Sequence, residues 1–106
     1  MSHSVRMTYA TATVLQALDG GREYGFDIAT ATGLRRGTIY PILRRLEEAG
    51  MVASQWEDAD PAHDEGRPPR KYYRLTKAGT QLAVDADERF PAAALTIAAH
   101  AEDRSG

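Results

Sequence analysis

Residues 37–52 read GTIYPILRRLEEAGMV, and this stretch decides the fold. Its large aliphatic residues recur at i, i+3, i+4 and i+7, the spacing of one helix face: Ile39, Ile42, Leu43 and Leu46. Thr38 is a suitable N-cap. Pro41 would then lie at the third helical position, where a backbone N–H has no acceptor within the helix, so the N–H that proline lacks is not needed there. Gly50 supplies a C-terminal stop. The stretch therefore predicts a helix over about residues 38–49.

The sequence before this stretch predicts two further helices. Apolar residues recur at helical spacing over residues 7–18, and Gly20 and Gly21 end that helix. A short helix follows over about residues 24–31, and Gly33 ends it. Two helices with a tight glycine turn, followed by a third, are the pattern of a helix-turn-helix.

The sequence after it predicts a two-stranded ribbon. Residues 51–56 and 71–75 are rich in β-favouring side chains, and a polar, proline-containing loop over residues 57–69 joins them. Two short strands directly after a helix-turn-helix make a winged helix, with the loop as the wing. The fold class predicted is mainly α, with three helices and a two-stranded antiparallel wing over residues 1–76.

A last helical region is predicted over residues 77–106, with Thr76 as its cap. Phe90 and Pro91 mark a break, because proline disfavours helical geometry at the preceding residue. An alanine-rich helix then runs over residues 92–101. The region holds too many large apolar residues for a frayed tail, so we expect it to hold a homodimer together. The expected dimerisation residues are Leu82, Ala86, Phe90, Leu95 and Ile97.

The composition limits the classes of function that the protein can have. The 106 residues carry a formal net charge of −2 and are 42% hydrophobic, ordinary values for a globular protein. The absence of cysteine excludes disulfides, thiolate metal sites and thiol catalysis. No segment reaches the apolar length that spans a bilayer, and the N-terminus lacks the apolar run of a signal peptide. We therefore expect a cytoplasmic protein that makes no membrane contact.

Basic residues concentrate on the two elements that a winged helix points at DNA. Residues 66–77 contain Arg and Lys but no acid, and acidic residues precede them. Arginine on the third helix is suited to grip guanine O6 and N7, and a stiff basic wing is suited to phosphates. The candidate contacts to double-stranded operator DNA are Arg36, Thr38, Tyr40, Pro41, Arg44, Arg45, Arg67, Arg70 and Lys71.

Other interpretations remain open at this point. The charged helix face is also compatible with ordinary solvent exposure, and a winged helix can serve as a protein-interaction module that binds no DNA. Asp60, His63, Asp64 and Glu65 could chelate a hard cation, but they lack the pattern of a calcium loop, and we interpret them as a solvated acidic segment. No nucleophile–base constellation is present in the sequence, so we expect no enzyme, cofactor or metal.

Three motifs together resemble the PadR family of regulators. They are residues 37–52, residues 70–79 (RKYYRLTKAG) and residues 24–28 (YGFDI), and the resemblance covers residue 7 to about residue 82. It implies a winged helix that binds operator DNA as a homodimer, usually as a repressor. By the same resemblance, Tyr40 and Arg44 match recognition-helix positions, and Arg70 and Lys71 match the wing.

The C-terminus is similar to that of the short PadR subfamily, in which one C-terminal helix dimerises. Some relatives bind phenolic acids or flat hydrophobic drugs between subunits. The resemblance therefore implies a small hydrophobic or aromatic effector, which we expect between the first and last helices, although no residue identifies the ligand.

Overall fold

The computed structural model describes residues 5–58 and 64–105. The helices are α1 (Tyr9–Asp19), α2 (Gly25–Thr32), α3 (Arg36–Glu48), α4 (Lys77–Arg89) and α5 (Ala92–Ser105). The strands are β1 (Val52–Trp56) and β2 (Lys71–Leu75). This order of three helices, a two-stranded ribbon and further helix confirms the predicted winged helix.

Helix α1 is the centre of the core. Thr8 caps it by accepting a hydrogen bond from the Thr11 amide at 3.1 Å. Val14 and Leu15 are fully buried, and α1 packs against α2, α3, α4 and α5. The glycine stops are where the sequence predicts them. Gly33, for example, follows α2 in the left-handed conformation at φ +74°, which a residue with a side chain rarely adopts.

Helix α3 buries the predicted stripe, but its predicted start is wrong. The helix begins at Arg36 rather than after Thr38, because Arg35 is extended and its carbonyl accepts from the amides of Thr38 and Ile39 at 2.9 and 3.1 Å. Pro41 therefore lies inside the helix. The carbonyl that its missing N–H would have met belongs to Gly37, an exposed residue whose carbonyl water can satisfy.

The two strands pair antiparallel from Val52 opposite Leu75 to Trp56 opposite Lys71. The segment before α2 adds to the free edge of β2: Tyr24 bridges to Tyr72, and the Tyr73 amide donates to the Glu23 carbonyl at 2.6 Å. These bonds fix the ribbon beside the start of α2. The wing consequently stands next to the exposed end of α3.

The C-terminal helices fold back over α1. Thr76 caps α4 as predicted, accepting from the Gly79 amide at 3.1 Å. The break at Phe90 and Pro91 is confirmed, and α5 then runs to Ser105, beyond the predicted end at residue 101. Helix α5 packs against α1 and α2 of its own chain.

This fold-back changes the expected dimerisation set. Ala86 is 0% exposed in the core of its own chain, so the prediction that it contacts a partner is wrong. Leu82, Phe90 and Ile97 are partly buried against the same core. Leu95, in contrast, is 70% exposed. The physical reason is that the turn at Pro91 directs α5 onto α1, which gives most of these apolar side chains an intramolecular partner.

Candidate nucleic-acid interface

Helix α3 presents a polar face opposite its buried stripe. Its exposed predicted contacts are Arg36, Thr38, Tyr40, Arg44 and Arg45, whereas Pro41 is half-buried. Among the described residues none of these arginines forms an ion pair. Glu47 lies toward the C-terminal end and accepts from the Ser54 hydroxyl of β1 at 2.5 Å. The net charge is therefore positive at the N-terminal end of α3, which carries Arg36, whereas Arg44 and Arg45 in the C-terminal half are followed by Glu47 and Glu48.

Tyr40 is held between α2 and the ribbon. A Cβ at Gly25 would collide with the Tyr40 hydroxyl and ring, so the tyrosine rests against a position that only glycine leaves open. Tyr73 of β2 is close enough that Tyr40 contributes to a raised pKa of Tyr73, although burial is the larger cause. Tyr40 thus joins the start of α2, helix α3 and strand β2.

Glu57 and Arg67 lock the base of the wing. The Arg67 guanidinium binds Glu57 in a two-pronged pair, Nη1 to Oε1 at 2.6 Å and Nη2 to Oε2 at 2.9 Å, and its Nε donates to Glu65 at 2.5 Å. The hydrogen bond from Arg67 lowers the pKa of Glu57 to about 2, and the same bond raises the pKa of Arg67 above its usual value. The sequence predicts Arg67 as a DNA contact, but its donors are directed at two carboxylates of its own chain.

Glu57 ties together both sides of the wing. Its carboxylate also accepts from the Arg70 amide and from the Tyr72 hydroxyl, each at 3.2 Å, and its own amide donates to the Arg70 carbonyl at 2.7 Å. Glu57 is not among the predicted site residues, because the sequence shows it only as one of the acidic residues that precede the basic run. The available signal was its position, one residue past a strand and opposite a basic run.

Arg70 and Lys71 lie over aromatic rings instead of carboxylates. The Arg70 guanidinium carbon is 4.4 Å from the centre of the Tyr24 ring. The Lys71 ammonium is 5.8 Å from the Trp56 ring centre and 5.7 Å from that of Tyr73. Within the described part of the chain, neither forms an ion pair. Their charges remain available to an anionic partner.

A cleft of about 540 Å³ brings much of the predicted set together, between the wing and the starts of α2 and α3. The predicted site residues that line it are Arg36, Tyr40, Arg67, Arg70 and Lys71. Thr38, Pro41, Arg44 and Arg45 do not line it, and the last two lie further along α3. The cleft and the outer face of α3 together form one surface that combines cations with aromatic rings.

The acidic segment over residues 60–65 is a weaker candidate for a metal site in the structure than in the sequence. Asp60 and His63 lie outside the described residues, and Glu65 is paired with Arg67. No group of three or more potential metal ligands occurs among residues 5–58 and 64–105. In the same residues no helix is long and apolar enough to cross a membrane.

Comparisons with known proteins identify the family. The model of the PadR-like family of transcriptional regulators matches residues 14–84. A PadR-family transcription regulator from Clostridium difficile shares 25% sequence identity and superimposes with a TM-score of 0.66, over 79% of this chain and 88% of that one. A comparison with curated protein sequences found no significant match.

Two more distant structures share the fold. The adhesin competence repressor AdcR of Streptococcus pyogenes is 20% identical with a TM-score of 0.65, over 84% of this chain and 60% of AdcR. Bordetella bronchiseptica BpsR, whose DNA binding is regulated by 6-hydroxynicotinic acid, is 22% identical with a TM-score of 0.61, over 88% of this chain and 59% of BpsR. The chain thus spans less than two thirds of the length of these two proteins. Because the family model covers more than half of the chain, the chain belongs to the PadR-like family of transcriptional regulators.

Proposed function

We propose that the chain acts as a homodimeric repressor that binds a pseudo-palindromic operator, with α3 reading bases and the wing holding phosphates. The observation that carries this proposal is a set of cations that have no carboxylate partner among the described residues: the exposed Arg36 and Arg44 on α3, and the half-buried Arg70 and Lys71 at the wing. A protein with this role works in the cytoplasm, beside the chromosome.

Helix α3 is suited to the major groove. Arg44 is exposed in the middle of the helix, and its guanidinium fork matches guanine O6 and N7. Arg36 and Thr38 lie in the first turn, where free amides and the positive end of the helix dipole favour a phosphate. Glu47 and Glu48 at the other end would repel phosphates, which concentrates the phosphate contacts, as distinct from the base contact of Arg44, on the first turn.

The wing is suited to the backbone beside that groove. Arg70 and Lys71 supply charge, and Pro68 and Pro69 stiffen the loop that carries them, which reduces the entropy lost on binding. Arg67 has a different part in the proposal: through Glu57 it positions the segment that carries Arg70. In this arrangement the wing adds affinity for any duplex, and α3 adds selectivity.

A dimer surface is available on α5. Ala92, Leu95 and Ala99 are exposed and follow the spacing of one helix stripe. The half-exposed Tyr9 lies beside this stripe, since its hydroxyl donates to the Ala92 carbonyl at 3.2 Å. Burying a side chain such as Leu95 stabilises by about 1.5–3 kcal/mol. A twofold dimer would place two α3 helices about 34 Å apart, one turn of DNA.

Leu95→Asp should give a monomer with sharply weaker operator binding, because a carboxylate in a packed apolar interface costs several times what the leucine contributes. Sedimentation measures the oligomeric state. Val84→Asp is the matched control, because Val84 is an exposed aliphatic residue on α4, outside the stripe. A Leu95→Asp protein that still sediments as a dimer would move the interface elsewhere.

Regulation by a small planar effector is also part of the proposal, supported by the effector of the fold neighbour BpsR. The expected place between the first and last helices is closely packed within one chain. The Tyr9 ring meets the Phe90 ring edge-on, with 6.1 Å between the ring centres, and its hydroxyl bonds to Ala92 and Thr96. A ligand there would need a space that two subunits create between them.

Selection of bound duplexes from a randomised pool tests the proposal. We expect the pool to converge on an inverted repeat, and we expect affinity to fall steeply as salt rises, because each neutralised phosphate contributes about −0.9 to the slope of log K against log salt. No enrichment, together with binding that is insensitive to salt, would contradict it. The exposed α3 face would then be a protein-interaction surface.

A further inference from the structure

Three consecutive residues at the start of α2, Tyr24, Gly25 and Phe26, each contact one candidate DNA contact that comes from another element. None of the three is itself among the predicted site residues. The ribbon holds this segment in place, because Tyr24 bridges to Tyr72 and their rings meet edge-on with 5.8 Å between the centres. Residues 24–26 are therefore a fixed support on which other side chains can rest.

Two of the three residues carry an arginine on an aromatic ring. The guanidinium carbon of Arg70 is 4.4 Å from the Tyr24 ring centre, and that of Arg36 is 5.5 Å from the Phe26 ring centre. Phe26 is 58% exposed, so burial in the core does not explain its large ring. A ring attracts a cation but has no net charge with which to neutralise it. These arginines are therefore restrained and keep their charge, unlike Arg67, which is paired with carboxylates.

Gly25 makes room for a third candidate contact, Tyr40. Gly25 is buried, and a Cβ there would lie 2.8 Å from Cζ of the Tyr40 ring and closer still to its hydroxyl. The φ angle of Gly25 is not positive, so its backbone conformation does not require glycine. Alanine is favoured in helices, and an added methyl group would displace the flexible end of the tyrosine rather than the helix. What Gly25 provides is the position of the Tyr40 side chain.

We propose that residues 24–26 form a platform that positions three DNA contacts on two elements, Arg70 of the wing and Tyr40 and Arg36 of α3. This inference rests on the proposed function, since it requires those three side chains to contact the duplex. A long side chain that is already restrained loses less conformational entropy when it binds. Because one segment restrains all three, the wing and α3 meet the DNA in a fixed relation. Residues 24–26 are positioning residues and need not touch DNA.

Tyr24→Leu in the whole protein tests the support of Arg70. We expect binding to a selected duplex and to a random duplex to weaken by about threefold, the value of one cation–π contact. Tyr24→Phe keeps the ring and should bind as the parent does. In the Arg70→Gln background, Tyr24→Leu should cause no further loss, because it acts through Arg70. Equal losses in both backgrounds by fluorescence anisotropy, or a loss in Tyr24→Phe, would overturn the proposal.

Phe26→Leu repeats the test at a position where the fold is not at risk, because Phe26 is exposed. We expect the same thermal unfolding midpoint as the parent and about threefold weaker binding to both duplexes. The loss should disappear in the Arg36→Gln background. A Phe26→Leu protein that binds both duplexes as tightly as the parent does would contradict the platform.

Gly25→Ala should produce the largest loss of the three variants, about tenfold on the selected duplex, because it displaces the whole end of Tyr40. In the Tyr40→Ala background the added methyl group has no ring to meet, so Gly25→Ala should cause no further loss. Thermal unfolding shows that each variant is folded. A tenfold loss in both backgrounds would show that the collision with Tyr40 is not the cause, and the proposal would fail.

Two measurements on the parent separate this inference from the proposed function. In the absence of DNA, the Arg70 Nε–H NMR signal should be shifted upfield in the parent and in Tyr24→Phe but not in Tyr24→Leu, and an identical signal in all three would refute the platform. If a duplex is selected but the paired substitutions are additive, the inference fails and the proposed function stands. If no duplex is selected, the proposed function fails and the platform positions no DNA contact.

Discussion

Arg67 and Arg70 lie three residues apart in the same basic run, yet their surroundings are opposite. Arg67 donates to Glu57 and Glu65 through Nε and both Nη atoms. Arg70 lies over the Tyr24 ring and, in the described residues, forms no ion pair. The first arginine joins parts of its own chain, whereas the second has no carboxylate partner among the described residues.

The same contrast separates the base of the wing from the outer face of α3. The base of the wing is a closed network centred on Glu57, and the exposed arginines of α3 have no carboxylate partner among the described residues. The role of a basic residue on the wing or on α3 is therefore inferred from the groups that it contacts and not from its charge alone.

Arg44→Ala should produce the largest loss, and only on the selected operator. If Arg44 grips a guanine, its removal costs about 1–3 kcal/mol on the operator and relaxes base preference at one position. Fluorescence anisotropy with operator and random duplexes at equal salt measures both. Equal losses on the two duplexes would reassign Arg44 to phosphate contact.

Lys71→Ala should weaken binding to operator and random duplexes alike. Removing one phosphate contact reduces the slope of log K against log salt by about one unit. A salt titration with each duplex gives this slope, and Lys77→Ala serves as the control because Lys77 is exposed at the start of α4, outside the cleft. A loss restricted to the operator would show that the wing reads sequence.

The pH dependence of Glu57 reports the closed network directly. Its pKa in the folded protein, about 2, is below the ordinary 4.5, so the stabilisation by its ion pair is complete above about pH 4.5 and is lost as pH falls toward 2. Carbon-13 NMR of the Glu57 carboxyl group measures the pKa. In Arg67→Ala the pKa should rise toward 4.5, and a value unchanged by this substitution would remove Arg67 as the cause.

Much of the fold could be predicted because its signals are local. The stripe of Ile39, Ile42, Leu43 and Leu46, the two strands and the Thr76 cap each depend on residues within one element. The start of α3 could not be predicted in this way. Threonine is a favoured N-cap residue, which pointed to Thr38, but the helix begins earlier, after the extended Arg35. Local preference identifies a helix more reliably than it fixes the first turn.

The candidate residues could be named from the sequence, but their contacts within the chain could not. The lock between Glu57 and Arg67 depends on strand register, which places Trp56 opposite Lys71 and so brings Glu57 to Arg70. The burial of Ala86 depends on the direction in which α5 leaves Pro91. The cleft joins residues from α2, α3 and both strands, and no sequence pattern links segments so far apart.

The measurement that tests the contrast most directly is the operator affinity of Glu57→Gln. If Arg67 contacted DNA, removing Glu57's charge would free the arginine and reduce repulsion, so binding would strengthen. Our account predicts weaker binding to operator and random duplexes alike, because a neutral amide with one acceptor oxygen cannot hold Arg67, the Arg70 amide and the Tyr72 hydroxyl together. Tighter binding by Glu57→Gln would contradict the account and make Arg67 a DNA contact.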